Sequence, residues 1–514
     1  MSGRLYFSDG AVVELRRSAG EAAGTVSTGI GVNWFDHFGT APVGDAGYPG
    51  YPLDEQVLPD WDDEPAWQSL FEAMNELEIS WVRFGIPADV IYDDQHRFST
   101  DSIHWNHLKR LDAWASERRV GIMLDPFTVP RALMQPPFKP LRSEWAHARP
   151  PQDVEAYARK FVVPLARHAV QTLGLKSVRQ LNLINEPGHS TFLPNPSTGQ
   201  SIWQAYLAMM RASRRALVEA GFCSVVAGDG AGRLELCGPD HTGDLTSPFS
   251  LLGEGMDELA SLVDVLTLHS YLVRLDWVPP SDTSPNTVAM HTAIDRGYGP
   301  AADSARRLGR PAVMAEIGGF AYGTIMGWEL SAQRYLSQLT QAALIVDCLD
   351  RGWSGFYRWC LVDPVTGLAA NRHGLVHSDP LRKRYFIAPA SRAVWPLLGN
   401  AIKPGMQIRR LDIQEPATPH RHVHAVELHD PKTQRSSLLV VNDHLIEPRL
   451  LRLTDSNGQA MPLHRARVAT EFGLTEDYDG ICNHPTPVMI EQRRQPGFAV
   501  PPLSVSILEL PSPA

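Results

Sequence analysis

Leu181-Asn182-Leu183-Ile184-Asn185-Glu186-Pro187 carries an aliphatic run into a proline-marked turn with a glutamate at its end. Ala312-Val313-Met314-Ala315-Glu316-Ile317-Gly318-Gly319 does the same into a glycine-marked turn. Each run has the length and aliphatic content of a buried strand. The two glutamates lie far apart in the chain, so only a fold that gathers strand ends on one face can pair them. Two carboxyls at one face are the apparatus of glycosidic bond cleavage.

Working outward, short apolar runs recur at Gly29–Phe35, Trp81–Gly85, Gly121–Asp125, Val178–Asn185, Ser224–Gly228, Val265–His269, Ala312–Ile317 and Gly355–Trp359. Stretches with helical periodicity separate them, among them 65–77, 105–117, 154–173, 202–220 and 331–351. Eight such alternations predict an α/β fold, a (β/α)8 TIM barrel over residues 27–398. A doubly wound open sheet would need a glycine-rich phosphate turn after an early strand, and none is present. Loops after the predicted strands are long and rich in Pro, Gly and aromatics, as at 39–59 and 126–151, which suits loops that build a site.

Beyond residue 398 the helical pattern stops. Short strand-like runs at 406–411, 422–428, 436–441, 449–453, 465–469 and 503–510 predict a smaller C-terminal antiparallel β-sandwich-like domain over 399–514. In residues 1–26, two apolar runs flank Ser8-Asp9-Gly10, a hairpin signal. These N-terminal strands are expected to join the C-terminal domain.

Composition narrows the class. The chain has 514 residues, 43% apolar and 20% charged, with a formal net charge of −10. The dispersed Lys and Arg argue against nucleic acid, and no apolar run is long enough for a membrane span. Cys223, Cys237, Cys348, Cys360 and Cys482 are few, odd in number and widely spaced. With Asp9 arriving too early for a secretory apolar core, they predict reduced thiols and a cytoplasmic setting.

In a closed barrel the C-terminal strand ends share one face. The predicted strands bring Arg83, Asn185, Glu186, His269, Tyr271, Glu316 and Trp359 there, with Trp34, Asp36 and His37 after the first strand as expected walls of the pocket. Asp125 and Asp229 end the predicted third and fifth strands and would cap loops or touch sugar. Asn185-Glu186-Pro187, His269-Ser270-Tyr271, Ala315-Glu316-Ile317-Gly318 and the Trp359 strand resemble clan A of the glycoside hydrolases, and within it families 5, 39 and 30. The resemblance covers the barrel. It implies that Glu316 is the nucleophile, kept ionised by Arg83 and Tyr271, and that Glu186 is the acid/base. It implies that Asn185 holds the sugar 2-hydroxyl, that His269 positions Glu186 or Tyr271, and that Trp359 stacks on a pyranose. The expected partner is an oligosaccharide or glycoside, cleaved with retention from one end of a β-linked chain. No cofactor and no metal are expected. A transglycosylase, or a carbohydrate-binding barrel without turnover, would use the same residues.

Two other motifs read as structural. His420-Arg421-His422-Val423-His424 has no second ligand pair at zinc spacing and reads as a solvated strand face. Gly228-Asp229-Gly230-Ala231-Gly232 lacks a following Lys and reads as a loop.

Overall fold

A computed structural model describes residues 10–18, 22–35, 64–136, 149–187, 198–242, 256–270, 298–318, 331–362, 374–379, 384–416, 421–463, 465–470, 488–491 and 497–510, with Phe192 and Pro194, apart from positions 87 and 445. Asp36, His37, Tyr271 and Cys482 lie outside these residues.

The N-terminal segment supplies β1 (Ala11–Arg17) and β2 (Gly24–Thr25). Eight strands follow: β3 (Gly29–Phe35), β4 (Trp81–Gly85), β5 (Gly121–Asp125), β6 (Val178–Leu181), β7 (Glu235–Thr242), β8 (Val265–Ser270), β9 (Ala312–Ile317) and β10 (Gly355–Arg358). They pair in chain order, all parallel, and β10 closes on β3. Helices at Glu64–Glu76, Ile103–Arg118, Ile202–Glu219 and Ser331–Arg351 are among those alternating with the strands.

Strand alternation explains why these runs are apolar throughout. Trp81, Met123, Cys237, Val265, Val313, Ala315 and Tyr357 fill the barrel interior. Their neighbours Val82, Phe84, Ile122, Leu124, Leu236, Leu266, Leu268, Met314 and Phe356 face outward into the core shared with the helices. A parallel sheet buried on both faces needs apolar residues at both parities. Gly31 leaves room for the interior Tyr357, since a Cβ there would stand 2.5 Å from its ring.

Two expectations are corrected here. The fifth strand is Glu235–Thr242, not Ser224–Gly228, which is irregular and leaves Val225 81% and Val226 62% exposed. The fourth is shorter than Val178–Asn185, because the chain leaves the ladder after Leu181. Leu124 O still takes the Asn182 N–H (3.0 Å), and Phe127 O takes that of Asn185 (3.0 Å). The glutamate-bearing segment therefore runs on beside the third-strand loop.

After β11 (Val376–Asp379), β12 (Arg384–Ile387) and a helix at Pro389–Ala401 come β13 (Gln407–Arg409), β14 (Leu411–Gln414), β15 (Val423–Asp430), β16 (Arg435–Asn442), β17 (Arg449–Thr454), β18 (Ala460–Met461), β19 (Arg465–Thr470), β20 (Val488–Glu491), β21 (Phe498–Val500) and β22 (Ser504–Glu509). One sheet runs β2-β13-β15-β16-β22-β19-β20, and the other β14-β1-β17-β18, with β21 on β17. Strand β1 pairs antiparallel with β14 and parallel with β17. Val13, Leu15, Val423, Ala425, Leu438, Val440, Leu451 and Phe498 form the core of this β region. The opposite parity of β15 and β16, Val426, Leu428, Leu439 and Val441, joins the barrel-side core.

The histidine cluster is not a solvated face. His424 points to the barrel side and is buried. Its Nδ1 lies 2.8 Å from Asp347 of the 331–351 helix, and its Nε2 lies 3.1 Å from Asp443. It ties sheet to barrel, the structural use that a buried, fully paired histidine suits.

Candidate active site

Period-2 alternation places the site one layer above the interior cluster. Arg83 is the next inward residue after Trp81, Asp125 after Met123, and His269 after Val265 and Thr267. Glu316 is on the wrong parity for this rule. Val313 and Ala315 face inward, so a regular strand would turn Glu316 out. Met314 pairs with Leu268, but Glu316, not Ala315, pairs with His269, and the same extra residue shows against β10. This β-bulge resets the phase and aims Glu316 inward. A second bulge puts Asp240 between Pro239, paired with Thr267, and His241, paired with Leu268.

Arg83 is the hub, 1% exposed. One terminal nitrogen donates to Glu316 Oε1 (2.6 Å) and Asn33 Oδ1 (2.8 Å). The other donates to Asn185 Oδ1 (2.6 Å) and Asp240 Oδ2 (2.5 Å) and pairs with Asp125 Oδ2 (2.5 Å). Its guanidinium lies 5.2 Å from the Phe127 ring centroid. Burial works against the cation, but Asp125, Asp240 and Glu316 outweigh it and hold Arg83 protonated. Asn182 Nδ2 donates to Asp240 (2.7 Å) and Asp125 (3.3 Å), and Phe127 N–H donates to Asp125 Oδ1 (2.8 Å).

His269 is the second cation. Its Nδ1 lies 2.8 Å from Glu186 Oε1 and 3.4 Å from Glu316 Oε2, and its Nε2 lies 3.2 Å from Asp240 Oδ1. Burial alone would lower its pKa, but Glu316 and Asp240, with hydrogen bonding to Asp240 and Glu186, push it up to about 10. Burial acts to raise Asp240, yet Arg83 and His269 hold it below its ordinary value. Asp125 goes the other way, since burial raises it against the pull of Arg83.

The His269 shift has a stability consequence with a definite sign. The folded value, about 10, lies above the ordinary 6.5. Its contribution is therefore fully present below about pH 6.5, falls between the two values and is gone above about pH 10. Urea unfolding is expected to show stability declining across that window. The decline should shrink in a His269→Gln protein, and an equal decline in both would exclude His269 as its source.

Glu186 sits where the cluster opens, with 16% of its side chain exposed against 3% for Glu316. Its φ is +45°, in a region few non-glycine residues adopt, and its N–H donates to Asp240 O (2.9 Å). One carboxylate oxygen each from Glu186 and Glu316 and one nitrogen of His269 lie within 4.8 Å of one another. Three such groups would crowd a cation, but an imidazolium set among carboxylates has no lone pair to offer one.

The structure thus brings together Glu186, Glu316, Arg83, Asn185, His269 and Asp125. Asp125 is fully buried, with both oxygens engaged inside the cluster, so it supports Arg83 and does not face a ligand. Trp359 follows β10, is half-buried and donates its backbone N–H to Ile317 O (3.0 Å). Trp34 is not a pocket wall. It faces outward and packs edge-on against Trp67 (5.4 Å between centroids) and Phe84 (5.3 Å) beneath the first barrel helix. Its neighbour Asn33 is the inward residue, a parity that Val32 and Trp34 signalled. Asp229 does not end a strand, because its side chain caps its own loop through Ala231 N–H (2.9 Å) and Ser224 Oγ. Asn33, Asn182 and Asp240 were not expected from the sequence. For Asp240 the misplaced fifth strand removed any signal.

Fold and cluster together define a (β/α)8 barrel with an attached β region and a buried, charge-paired acid cluster at its C-terminal face. Solved structures of similar architecture include a glycoside hydrolase family 30 endoxylanase from Clostridium papyrosolvens C71 (13% identity, 97% of this chain and 100% of that one, TM-score 0.57). Two others are the family 51 arabinofuranosidase from Xanthomonas axonopodis pv. citri (12%, 98% and 100%, TM-score 0.62) and an α-L-arabinofuranosidase from Thermotoga maritima (11%, 97% and 99%, TM-score 0.56). No protein-family model and no curated protein matches the sequence. At these identities the likeness establishes the shared fold.

Proposed function

We propose that this protein is a retaining glycoside hydrolase. The observation that carries the reading is the approach of Glu186 and Glu316 at one barrel face, with oxygens within 4.8 Å. Carboxyl groups about 5–5.5 Å apart suit double displacement, whereas inversion needs about 6.5–9.5 Å to admit a water. Arg83 pairs with Glu316 at 2.6 Å and favours its negatively charged carboxylate, the form a nucleophile must keep. The likeness to solved glycosidases supports the same reading.

Glu316 attacks the anomeric carbon while Glu186 passes its proton to the departing glycosidic oxygen. This leaves a glycosyl ester on Glu316. Glu186, now a carboxylate, takes a proton from water, which attacks the same carbon from the opposite side and restores the starting configuration. A sugar hydroxyl in place of water would give transfer, and added acceptor separates the two outcomes.

The finer proposal is release of terminal residues from a β-linked oligosaccharide or glycoside, in the cytoplasm. It rests on the long loops after the predicted strands and the cysteine pattern. Internal fragments from a defined oligosaccharide would overturn the exo reading.

The test of the whole is a panel of aryl glycosides followed by Glu186→Ala. With a poor leaving group the rate is expected to drop roughly 10²–10⁴-fold, the share general acid catalysis usually supplies. With a dinitrophenyl leaving group, which needs no proton, the first step should be nearly spared. Equal losses on both would show that Glu186 is not the acid.

A further inference from the structure

We propose that Asp240 is a positioning residue that grips the acid/base Glu186 from two sides, by its own backbone carbonyl and, through His269, by its side chain. The proposal rests on the glycosidase reading and assigns a new member to that site.

The backbone arm is short. Asp240 is the extra residue of the β7 bulge and has φ +59°. Its carbonyl accepts the Glu186 N–H at 2.9 Å, and Glu186 itself has φ +45°. Two left-handed, non-glycine residues are thus tied to each other, and each holds the other in a conformation it would otherwise leave.

The side-chain arm runs through charge. Asp240 is fully buried. Its Oδ2 accepts from Arg83 (2.5 Å) and Asn182 (2.7 Å), which fixes the carboxylate and turns Oδ1 toward His269 Nε2 at 3.2 Å. That contact is a charge approach outside hydrogen-bond geometry, and on the other side of the ring Nδ1 meets Glu186 Oε1 at 2.8 Å. Among the described residues, the charged groups facing His269 are Glu186 from the fourth-strand loop, Asp240 from β7 and Glu316 from β9. Arg83 of β4 is shared with Asp240, Glu316 and Asp125. Tyr206 and Cys237 also sense Asp240, and burial keeps both neutral. Glu316 and then Asp240 thus supply the field that keeps His269 charged.

An imidazolium donating to Glu186 favours its carboxylate, the form needed to activate water in the second step. Without Asp240, His269 loses a partner, Glu186 holds its proton to higher pH, and its carboxyl loses its aim.

Asp240→Asn tests this. With a poor leaving group, turnover is expected to fall roughly 10- to 100-fold from misalignment. The alkaline limb of kcat/KM should move to higher pH, and the loss should be small with a dinitrophenyl glycoside. A residue that matters only for packing would lower both substrates alike and leave the limb in place, and that result would overturn the proposal. A second measurement needs no turnover. In full-length protein with 15N-labelled histidine, the His269 ring, identified by its loss in His269→Gln, should remain imidazolium at pH 8. In Asp240→Asn it should titrate toward the ordinary value of about 6.5. A neutral His269 at pH 8 in the unmodified protein, or one unmoved by Asp240→Asn, also overturns the proposal. If the unmodified protein releases no sugar from any glycoside while His269 behaves as described, the glycosidase reading falls and the Asp240–His269 coupling stands.

Discussion

Glu316→Gly is expected to lower glycoside turnover by roughly 10⁵-fold, about 7 kcal/mol of barrier. The loss follows from what remains in the pocket. Arg83 and His269 still present positive charge, but no atom is left to form the glycosyl ester. The same geometry predicts a rescue. The missing side chain leaves a space flanked by two cations, which suits a small anion such as azide. Azide should restore turnover of an activated aryl glycoside and give a glycosyl azide of inverted configuration, because a single displacement replaces two. Product analysis by NMR reads the anomer directly. Full activity of Glu316→Gly without azide would remove Glu316 from the nucleophile role.

Arg83→Met is expected to cost about 3–5 kcal/mol of folding stability, the range for stripping one partner from a buried ion pair. The magnitude comes from what Arg83 holds. It contacts Asp125, Asp240 and Glu316, and all three carboxylates are nearly inaccessible to water. Methionine fills a similar volume, so the loss reads mainly charge. Lysine should recover only part of it, since one ammonium cannot reach the five oxygens served by the planar fork. Urea unfolding at neutral pH measures the effect. A cost under about 1 kcal/mol would mean that the carboxyls relax by taking up protons. Turnover should fall with stability, because Arg83 holds both Glu316 and Asn185.

Much of this arrangement was legible before any coordinates. Seven of the eight barrel strands announced themselves as apolar runs, because a strand covered on both faces has no polar parity. The fifth did not. Glu235-Leu236-Cys237-Gly238-Pro239-Asp240-His241-Thr242 contains Gly, Pro and Asp, residues depleted in strands, whereas the nearby Ser224-Val225-Val226 looked apolar and is exposed. The strand exists because both of its neighbours pair with it. With it went Asp240, which ties the cluster together. Trp34 differs from its expected place for a related reason. A tryptophan at a strand end can face a pocket or the helices, and parity decides; here Asn33 is the one facing Arg83.

The sequence alone pointed to two glutamates at one barrel face, Glu316 at the end of its strand and Glu186 just beyond its own, with Arg83, Asn185 and His269 beside them. That much is local, since a run of apolar residues and the turn that stops it lie within a few positions. Only the tertiary structure decided which way each acid points. Counting by twos from Val313 and Ala315 turns Glu316 away from the barrel, and the bulge that turns it back arises because β9 must satisfy β8 and β10 at once. The same holds for Asp240 on β7. Register in a closed sheet is set by neighbours distant in sequence, so the charge pairing that gives each acid its work emerges when the barrel closes.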